Sequence, residues 1–353
     1  MLKIVQIGID HPHAEAYRGT LWALRDRIQI VGFLCREGGN SSRIAVEFKD
    51  VPVFQSLDDL LTETRPDAAQ VMLRNNEMGG VLSKLASEGI HLWAEKPEAR
   101  RAADLEPVRK IVNEKGLIFT AGYQSRFYAT TQYVRSLVRE GILGPLTFAS
   151  MSTATTTAKL RNPLGPHGYI FDETISGGGI FHWLGCHMID LLLSIVAETP
   201  SELTAFTGTL GEAQIAVEDV ASAVLRFPSG WIASLNYGYL IPTKQESPFT
   251  NDEPEPGLYG HQGWVRWNNA SNKTKAFSID PRWNASPWQA HCYSDPIGVG
   301  YGHAAHLAML NFIDAIAGVV EPMYRIEEAI TVLKVIEAAY QSSRTGRTVA
   351  ITQ

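Results

Sequence analysis

Short apolar runs alternate with helix-like patterns over the first third of the chain. A short continuous apolar run fits a buried strand, whereas apolar residues that recur every three to four positions fit one face of a helix. The predicted strands are Lys3–Ile9, Ile28–Cys35, Asp67–Leu73, Ile90–Ala94 and Leu117–Gly122, and the predicted helices are Ala14–Arg25, Leu57–Thr64, Gly80–Glu88 and Ala102–Lys115. Buried strands that alternate with helices predict a doubly wound parallel sheet, which we assign to a domain at residues 1–124.

The remainder of the chain alternates apolar and polar positions, as antiparallel strands do. Strands are predicted at Leu146–Thr153, Ser201–Thr207, Val220–Phe227, Trp231–Tyr239, Gly260–Trp267 and Lys275–Ile279. Pro228-Ser-Gly230 fits a hairpin turn, which indicates a meander. Helices are predicted from Gly177, from Tyr301 to Ile316 and from Pro322 to about Ser342. We therefore predict a second α/β domain at residues 125–353.

Composition narrows the class of protein. Of the 353 residues, 45% are hydrophobic and 19% are charged, which is typical of a folded enzyme rather than a disordered chain. A net charge of −6 without a block of like charges argues against nucleic acid and membrane as partners. No apolar run approaches the roughly 18 residues of a membrane span, and the chain begins with a strand rather than a signal peptide. Three widely separated cysteines, Cys35, Cys186 and Cys292, favour a reducing cytoplasm.

The stretch Gly89-Ile-His-Leu-Trp-Ala-Glu-Lys-Pro97 carries the strongest candidate chemistry. A short strand delivers Glu95 and Lys96, and Pro97 prevents the strand from continuing, so we expect the lysine at the rim. In open parallel α/β sheets, ligands bind outside the carboxyl ends of the strands. A lysine there can hydrogen-bond a substrate oxygen and exchange a proton. A surface Glu–Lys pair before a loop is the alternative interpretation of these residues taken alone.

The first strand-to-helix turn, Gly8-Ile-Asp-His-Pro-His13, lies where the dinucleotide-binding pattern G-x-G-x-x-G is expected. Only Gly8 is retained, while Pro12 removes a backbone donor and Asp10 adds negative charge. A helix N-terminus still offers N–H groups to phosphate, and His11 and His13 could offset the charge of Asp10. The two histidines could instead belong to a metal site, but a polar loop explains them better without a third ligand.

The end of the second strand bears on the choice between NAD and NADP. A carboxylate there binds the ribose 2′-hydroxyl of NAD, whereas an arginine suits the 2′-phosphate of NADP. The chain has Arg36, and a flexible stretch with Ser41, Ser42 and Arg43 follows. These residues favour NADP, although a solvated loop accounts for them equally well.

Four stretches resemble, in order and spacing, the Gfo/Idh/MocA oxidoreductase family, which includes glucose–fructose oxidoreductase and inositol dehydrogenase. Trp93-Ala-Glu-Lys-Pro97 is similar to the E-K-P motif of the family. Ala121-Gly-Tyr-Gln-Ser-Arg-Phe127, with Val138-Arg-Glu-Gly-Ile-Leu-Gly-Pro145, resembles its entry into the second domain. Gly177-Gly-Gly-Ile-Phe-His-Trp-Leu-Gly-Cys-His-Met-Ile-Asp190 resembles its active-site helix, G-G-G-x-x-x-D-x-x-x-H-x-x-D. The tail His306–Ile351 resembles its closing helices and last strand, so the resemblance covers nearly the whole chain.

The resemblance implies an N-terminal Rossmann domain, a C-terminal α/β domain with a large open, mostly antiparallel sheet, and a homodimer or homotetramer. It implies NAD(P)-linked chemistry on a sugar, cyclitol or related polyol, with Lys96 beside the reacting hydroxyl and His187 as general acid/base. The candidate cofactor-binding residues are Gly8, Ile9, Asp10, His11, His13, Arg36, Leu73, Arg74, Asn75, Glu95, Lys96 and Gln124. The candidate substrate-binding residues are Arg126, His167, Tyr169, His182, Trp183 and Asp190, and no metal is expected.

The chain also departs from the family pattern. The glycine turn is degraded, as described above. Where the family usually has a Thr-Pro-Asn-like segment, this chain has Leu73-Arg-Asn-Asn76, and Met78 replaces the histidine that usually follows soon after. The aspartate four residues before the active-site histidine is replaced by Trp183, whose indole cannot hold a proton. His187 then needs another partner, and Asp190, one helical turn on, is the nearest candidate. Trp183 could instead offer a flat face to a sugar ring.

Two stretches have little periodicity. Residues 154–176 read as a loop over the cleft, in which His167 or Tyr169 either reaches substrate or is solvated. Residues 241–300 hold four of the eight tryptophans and fit a carbohydrate-stacking lid or a subunit interface, of which we favour the interface. His303 and His306 share a helix face as a metal pair would, but a capping or interdomain role fits better without an acidic partner.

Three functions remain open from the sequence. The first is NAD(P)-dependent oxidation or reduction of a sugar or polyol. The second keeps the dinucleotide bound as a redox relay, in which transient oxidation of one sugar carbon acidifies its neighbour and permits elimination or glycosidic cleavage. The third is a non-catalytic sugar sensor or partner subunit that has lost its cofactor. The degraded glycine turn motivates this third function, whereas Glu95, Lys96 and His187 weigh against it.

Overall fold

The chain folds into two compact units. The computed structural model describes residues 1–9, 11–35, 48–156, 168–211, 214–241, 255–269, 272–283, 289–292, 294 and 301–352. Unit 1 comprises Met1–Gln124 and Asp295–Ile330, and unit 2 comprises Ser125–Ser294 and Thr331–Gln353.

Both units contain strands and helices, which are numbered along the chain. The strands are β1 (Leu2–Ile7), β2 (Ile28–Leu34), β3 (Val53–Phe54), β4 (Ala68–Val71), β5 (His91–Ala94), β6 (Phe119–Ala121), β7 (Leu146–Thr156), β8 (Glu202–Gly208), β9 (Val220–Arg226), β10 (Ile232–Ile241), β11 (Gly257–Gly260), β12 (Gly263–Asn268), β13 (Lys273–Ser278), β14 (Gln289–Cys292) and β15 (Val349–Ala350). The helices are α1 (Ala14–Ala23), α2 (Leu57–Thr64), α3 (Asn75–Ser87), α4 (Glu106–Lys115), α5 (Ala129–Arg139), α6 (Glu173–Ser176), α7 (Cys186–Val196), α8 (Gly302–Ile316) and α9 (Ile326–Thr345).

Unit 1 contains a parallel sheet of six strands in the order β3-β2-β1-β4-β5-β6. The central strands are apolar and fully buried, as Ile4, Val5 and Ile7 of β1 illustrate. Strands that are covered on both faces read as continuous apolar runs, which is why the sequence predicts them. The strand order is that of a dinucleotide-binding Rossmann fold, so the predicted doubly wound sheet is confirmed.

The C-terminal part of the chain returns to unit 1 through α8. Arg27 after α1 forms an ion pair of 2.6 Å with Asp314 of α8, and the rings of Trp93 and Phe312 meet edge to face at 5.9 Å. The sequence-based division differs here, because it assigns residues 295–330 to the second domain. Burial of the apolar face of α8 against unit 1 accounts for the difference, since local patterns do not indicate which sheet a helix covers.

Unit 2 contains a sheet of nine strands in the order β14-β13-β12-β11-β7-β10-β9-β8-β15. Strands β7 and β10 pair in parallel, and all other neighbours in the sheet are antiparallel. Gly230 has a φ of 98° and donates its N–H to the Phe227 carbonyl, which closes the predicted turn between β9 and β10. The mostly antiparallel sheet predicted for the second domain is therefore confirmed.

The two faces of the unit 2 sheet differ in exposure. Ala149, Ala223, Leu225 and Leu235 on one face are buried. On the other face, the register of β10, β7, β11, β12 and β13 aligns five apolar side chains that retain partial exposure. We call these the aromatic row, and its members are Ile232, Phe148, Tyr259, Trp264 and Phe277.

The core helix of unit 2 runs through α6, the residues after it and α7. The stretch Glu173–Val196 is long and apolar enough to cross a membrane by length and composition, although the sequence suggests no such run. Buried residues make up 72% of its most apolar window, which is the expected property of a helix in a protein core. Its apolarity is explained by packing within the structure.

Candidate active site

Polar residues and glycines follow three strands of unit 1 at one edge of its sheet. Gly8 follows β1, Glu95 and Lys96 follow β5, and Gly122 follows β6. A Cβ on Gly122 would lie 3.5 Å from Oε2 of Glu95, so these strand ends lie close together. This is the carboxyl edge of the parallel strands, where open α/β sheets bind their ligands.

Glu95 has a buried carboxylate that one histidine holds. Its Oε1 lies 2.9 Å from Nδ1 of His13, and the residue is 2% exposed. Burial alone would raise the pKa of Glu95, but the charge and hydrogen bond of His13, with smaller contributions from Lys96 and His11, lower it. Oε2 of Glu95 is buried and has no hydrogen-bond partner in the described part of the chain. Because an unpaired buried acceptor is unfavourable, this oxygen fits a hydroxyl donor such as a ribose of a dinucleotide.

Two tyrosines that sequence patterns do not single out complete this cluster. The ring of Tyr301 lies 5.6 Å from that of His13 and 5.0 Å from that of Tyr17, in edge-to-face arrangements. Burial, and then the charge of Glu95, raise the pKa of Tyr301. The hydroxyl of Tyr17 lies within hydrogen-bond distance of the Gly122 carbonyl and of Gln124 Oε1. Tyr301 precedes α8, so no local pattern links it to the turn that contains His13.

Lys96 is 4% exposed, whereas the sequence suggests a position at the rim. The two residues after Lys96 are held by separate contacts. Asn75 at the start of α3 donates from Nδ2 to the Pro97 carbonyl at 2.7 Å, and the hydroxyl of Tyr324 donates to Glu98 Oε1 at 2.5 Å. Glu98 is itself fully buried, so the chain after β5 turns inward rather than into solvent.

The turn after β1 is fixed by one glycine and by a buried cation. Gly8 has a φ of 85°, and a Cβ there would lie 2.0 Å from the Met72 carbonyl oxygen, so only glycine fits. Arg18 is buried and donates from Nη1 to the Ile9 carbonyl at 3.3 Å and to Gln6 Oε1 at 3.2 Å. Burial lowers the pKa of Arg18, and the nearby charge of Glu15 acts in the opposite direction. These contacts hold the turn without the second and third glycines of the usual pattern.

The same turn leads into the N-terminus of α1. His11 is buried, its Nδ1 accepts the His13 N–H at 3.2 Å, and the side chain of His13 at the N-cap makes no capping hydrogen bond among the described residues. A helix N-terminus attracts phosphate through its N–H groups and its dipole. The buried cation of Arg18 lies behind this turn, so the residues present fit an anionic pyrophosphate.

The remaining candidates of unit 1 follow β4. Leu73 is buried, Arg74 is the partly exposed residue before α3, and Asn75 donates to the Pro97 carbonyl. Asp10 and Arg36 lie outside the described residues, as does the stretch 41–43.

In unit 2, the predicted active-site helix begins irregularly. Phe181–Gly185 forms one π-helical turn that leads directly into α7, and such turns are frequent at functional sites. His182 on this turn is 1% exposed. Trp183 is also buried, and its ring meets that of Tyr169 edge to face at 6.4 Å. His187, in the first turn of α7, is partly exposed.

Asp190 forms a buried ion pair with Arg126. The carboxylate is 0% exposed and accepts three hydrogen bonds from Arg126, two from Nε at 3.1 Å and one from Nη2 at 2.6 Å. The sequence suggests Asp190 as the partner that replaces the missing aspartate for His187. The bonds from Arg126, which lies before α5, also fix α7 to the segment that enters unit 2.

No group of three or more His, Cys, Asp or Glu side chains that could hold a metal ion occurs among the described residues. Cys35, Cys186 and Cys292 form no disulfide bond within the part of the chain that the structure describes. His167 lies outside the part of the chain that the structure describes, and so does much of residues 241–300.

Comparison with known proteins identifies the family. The description "Oxidoreductase family, NAD-binding Rossmann fold" of GFO/IDH/MocA proteins matches residues 2–123, and that of the family's C-terminal domain matches residues 131–266. The chain is 28% identical over 241 residues to 2,7-anhydro-N-acetylneuraminate hydratase of Escherichia coli, covering 67% of this chain and 62% of that protein. It is 24% identical over 320 residues to D-xylose 1-dehydrogenase (NADP(+)) 2 of Haloferax volcanii, covering 90% of each.

A solved structure agrees with the fold over the whole length. The WlbA dehydrogenase from Bordetella pertussis, crystallised with NADH and UDP-GlcNAcA, superposes with a TM-score of 0.81 at 22% identity, covering 100% of this chain and 98% of that one. The chain spans about three fifths of the length of the Escherichia coli hydratase. With its Rossmann sheet, its mostly antiparallel second sheet and the two matching domain descriptions, the chain belongs to the Gfo/Idh/MocA family of NAD-binding oxidoreductases.

Proposed function

We propose that this chain transfers hydride between a nicotinamide dinucleotide and a carbinol carbon of a sugar, cyclitol or related polyol. The observation that carries the proposal is the buried pair Glu95 and Lys96 at the carboxyl end of β5, in a sheet of Rossmann order. The sugar as substrate class is supported by the Haloferax volcanii relative, whose name assigns it to D-xylose.

In this proposal, the residues of unit 1 hold and orient the reactants. When bound, the dinucleotide supplies or accepts the hydride, and the protein contributes position and charge. Oε2 of Glu95 accepts a hydrogen bond from a ribose hydroxyl, and the turn from Gly8 to His13 binds the pyrophosphate. Lys96 donates to the oxygen of the reacting carbon, which stabilises negative charge as that oxygen loses or gains its proton.

The proton is exchanged by His187 of unit 2 in this mechanism. Its imidazole is partly exposed on α7, and histidine is the side chain that most often serves as a general acid/base. The ion pair of Arg126 and Asp190 holds the helix, while Trp183 and Tyr169 shape the pocket beside it. His182 is proposed as a second polar contact to substrate.

The identity of the nucleotide is a separate part of the proposal. Arg36, after β2, suits a 2′-phosphate, and the Haloferax volcanii relative is named for NADP(+). We propose that NADPH binds more tightly than NADH.

A second candidate function keeps the nicotinamide as a redox relay without net oxidation. The observation in its favour is the 28% identity to the Escherichia coli hydratase, whose name describes addition of water rather than dehydrogenation. In the relay that we propose, oxidation at one sugar carbon acidifies the neighbouring C–H, and loss of that proton expels the leaving group from the next carbon. Water then adds to the resulting double bond, and return of the hydride restores the carbinol. Lys96 and His187 would serve both reactions, because each needs a proton moved at a carbinol oxygen.

We also propose that the open face of the unit 2 sheet pairs two copies of this chain. The aromatic row is partly exposed, and further along the same face Phe206 and Val224 expose 72% and 46% of their surface. Apolar surface of this extent on a sheet is characteristic of an interface between subunits. Light scattering should give a dimer or tetramer, which Val224→Glu together with Trp264→Glu converts to a monomer; a monomeric wild type would contradict the pairing.

The functions are distinguished by incubating the protein with NAD+ or NADP+ and a panel of aldoses, cyclitols and anhydrosugars. Nicotinamide absorbance and the proton NMR spectrum of the sugar are followed together. Reduced nucleotide formed one-for-one with oxidised sugar supports the dehydrogenase, and altered sugar without net reduced nucleotide supports the relay. His187→Asn should abolish either reaction, whereas His261→Asn, which changes an exposed histidine of the same unit, should leave it intact. A protein that alters no sugar with either nucleotide would contradict both.

A further inference from the structure

We propose that Glu218 is a positioning residue that fixes the start of the helix carrying His182 and His187. Glu218 lies on the segment between β8 and β9, far in sequence from that helix. The inference rests on the proposed function for the role of His187, and on hydrogen bonds to the start of the helix for the role of Glu218.

Glu218 binds three successive backbone N–H groups at the start of the helix. Gly179 donates to Oε2 at 2.9 Å, Ile180 donates to the Glu218 carbonyl oxygen at 3.1 Å, and Phe181 donates to Oε1 at 3.0 Å. The first N–H groups of a helix have no partner within the helix and need one elsewhere. A single residue therefore satisfies three of them and determines where the helix starts and in which direction it runs.

Tyr340 of α9 fixes the carboxylate from the other side. Its hydroxyl donates to Oε1 of Glu218 at 2.7 Å. Burial, followed by the charge and the hydrogen bond of Glu218, raises the pKa of Tyr340. The segment between β8 and β9, helix α9 and the start of the helix that contains His182 thus meet at the Glu218 carboxylate.

Two glycines make this close approach feasible. A Cβ on Gly178 would lie 2.0 Å from the Tyr340 hydroxyl oxygen, and a Cβ on Gly179 would lie 2.0 Å from the Glu218 carbonyl oxygen. The consecutive glycines therefore serve to admit Glu218 and Tyr340. The sequence predicts a close approach at this position but does not identify the approaching groups.

The carboxylate is held although its surroundings oppose its charge. Burial raises the pKa of Glu218, and the hydrogen bonds from Tyr340, Gly179 and Phe181 oppose that shift only in part. The neighbouring Asp219 accepts the N–H groups of Leu210 and Gly211 at 2.7 Å each, which fastens the segment that carries Glu218. Glu218 is thus a partly buried acid on an anchored segment. This arrangement allows its contacts to set the position of the helix start.

The consequence concerns the histidines that follow. His182 lies one residue after the last N–H that Glu218 binds, on the π-helical turn, and His187 lies in the first turn of α7. Loss of the two contacts to the Glu218 carboxylate loosens the N-terminal end of this helix, whereas the bond between Asp190 and Arg126 still holds it further along. We therefore expect the imidazoles to lose their fixed position while the unit remains folded.

Hydrogen-exchange mass spectrometry of the full chain tests this directly. Glu218→Gln preserves the size of the side chain but replaces one carboxylate oxygen with an amide NH2 group, which cannot accept a hydrogen bond from a backbone N–H. We expect exchange in peptides covering residues 177–187 to accelerate at least tenfold in Glu218→Gln and less in Tyr340→Phe, with β9 and β10 unchanged. Glu198→Gln is the matched control, because the Glu198 carboxylate accepts hydrogen bonds from Ser229 and Trp231 elsewhere in unit 2. Unchanged exchange at 177–187 in a folded Glu218→Gln protein would overturn the proposal, and Tyr340→Phe decides it by the same criterion if Glu218→Gln does not fold.

An activity measurement separates positioning from general support of the fold. On a sugar that the wild type turns over, Glu218→Gln should lower kcat at least tenfold, shift the pH dependence of kcat, and leave the Kd for reduced nucleotide within threefold. A parallel fall in thermal stability and activity, with an unshifted pH profile, would indicate a structural role only and would overturn the proposal. If the wild type turns over no sugar, the proposed function fails while the exchange experiment still decides whether Glu218 holds the turn.

Discussion

Lys96 is nearly sealed from solvent, and the two residues that follow it are held by Asn75, through the Pro97 carbonyl, and by Tyr324, through the Glu98 side chain. A lysine held in this way can donate to a reacting oxygen without first losing rotamer freedom. Lys96→Ala should therefore lower kcat by about 10²–10⁴, the range expected for a positioned acid or base.

The matched control is Lys84→Ala, which removes an exposed lysine of α3 that pairs with Asp58. Both variants are assayed for kcat and for binding of reduced nucleotide by fluorescence. Retention of more than a tenth of the wild-type kcat in Lys96→Ala would contradict the role given to the lysine.

The lowered pKa of Glu95 predicts how the stability of the protein depends on pH. His13, Lys96 and His11 together lower its pKa in the folded protein against the opposing effect of burial. A carboxyl group with a depressed folded pKa contributes stability above its unfolded pKa, and this contribution is lost as the pH falls through the folded value.

The difference in unfolding free energy between wild type and Glu95→Gln should accordingly shrink as the pH falls below about one unit above the ordinary glutamate value of 4.5. Urea unfolding at a series of pH values measures this difference. His13→Asn should reduce the effect, because it removes the principal opposing charge. A difference that grows on acidification would contradict the assignment.

Asp190 and Arg126 form an ion pair in which both side chains are almost completely buried. Breaking a buried pair leaves one charge without compensation, which costs about 3–5 kcal/mol of unfolding free energy. Asp190→Asn should approach this loss in a urea titration. Glu202→Gln removes the partner of Arg226 in an exposed pair and should cost about 0–1 kcal/mol. Equal effects of the two changes would contradict a stabilising role for the buried pair.

Residues whose roles depend on neighbours in sequence could be selected from the sequence alone. Glu95 and Lys96 follow a recognisable strand within one short motif, and the edge of the sheet then brings them beside His13. Tyr301 and Glu218 could not be selected in this way, because their partners lie hundreds or tens of residues away and neither belongs to a patterned stretch. The ion pair of Asp190 with Arg126 could not be selected for the same reason, since helical spacing indicates only His187 as a neighbour of Asp190.

At the scale of single elements, α3 begins at Asn75, five positions before the predicted start at Gly80. Two adjacent glycines obscured its pattern, although they differ in surroundings. A Cβ on Gly79 would lie 2.6 Å from the Asp104 carbonyl oxygen, whereas a Cβ on Gly80 would meet nothing within 4 Å. One glycine is therefore required by packing and the other is not.

This difference yields a matched pair of variants. Gly80→Ala should raise the unfolding free energy by about 0.5–1 kcal/mol, because alanine favours the helix. Gly79→Ala should lower it by about 1 kcal/mol or more, because overpacking against backbone exceeds that gain. Urea unfolding of both proteins checks the prediction, and stabilisation by both substitutions would contradict the packing of α3 against the Asp104 backbone.

Element boundaries were predictable where apolar periodicity was long, and less so elsewhere. The predicted bounds of α2 agree with the structure, and β3, with only two residues, offers no periodicity to detect. The helix predicted from Ala102 begins at Glu106 after a 3-10 turn, because Pro107 suits the first turn of a helix. The return of α8 to unit 1 is a property of tertiary packing, which local patterns do not contain.

At the scale of the whole molecule, each unit has its own sheet and its own part of the proposed chemistry. Unit 1 offers the carboxyl edge of a Rossmann sheet with Glu95, Lys96 and a phosphate-compatible turn. Unit 2 offers His187 on a helix fastened by Arg126 and by Glu218. Family membership gives the reaction class, and we propose that Trp183, which departs from the family pattern, contributes to the choice of substrate.

The proposed chemistry depends first on unit 1 binding a nicotinamide dinucleotide, although its turn keeps only one of the expected glycines. We would titrate the purified, cofactor-stripped protein with NADH and with NADPH and follow nicotinamide fluorescence. We expect saturation at one nucleotide per chain, weaker binding to Glu95→Gln, tighter binding of NADPH than of NADH, and a further change in fluorescence on adding a sugar that the protein turns over. Absence of binding of both nucleotides to the folded protein would contradict the proposed function and leave a sugar-sensing or partner role.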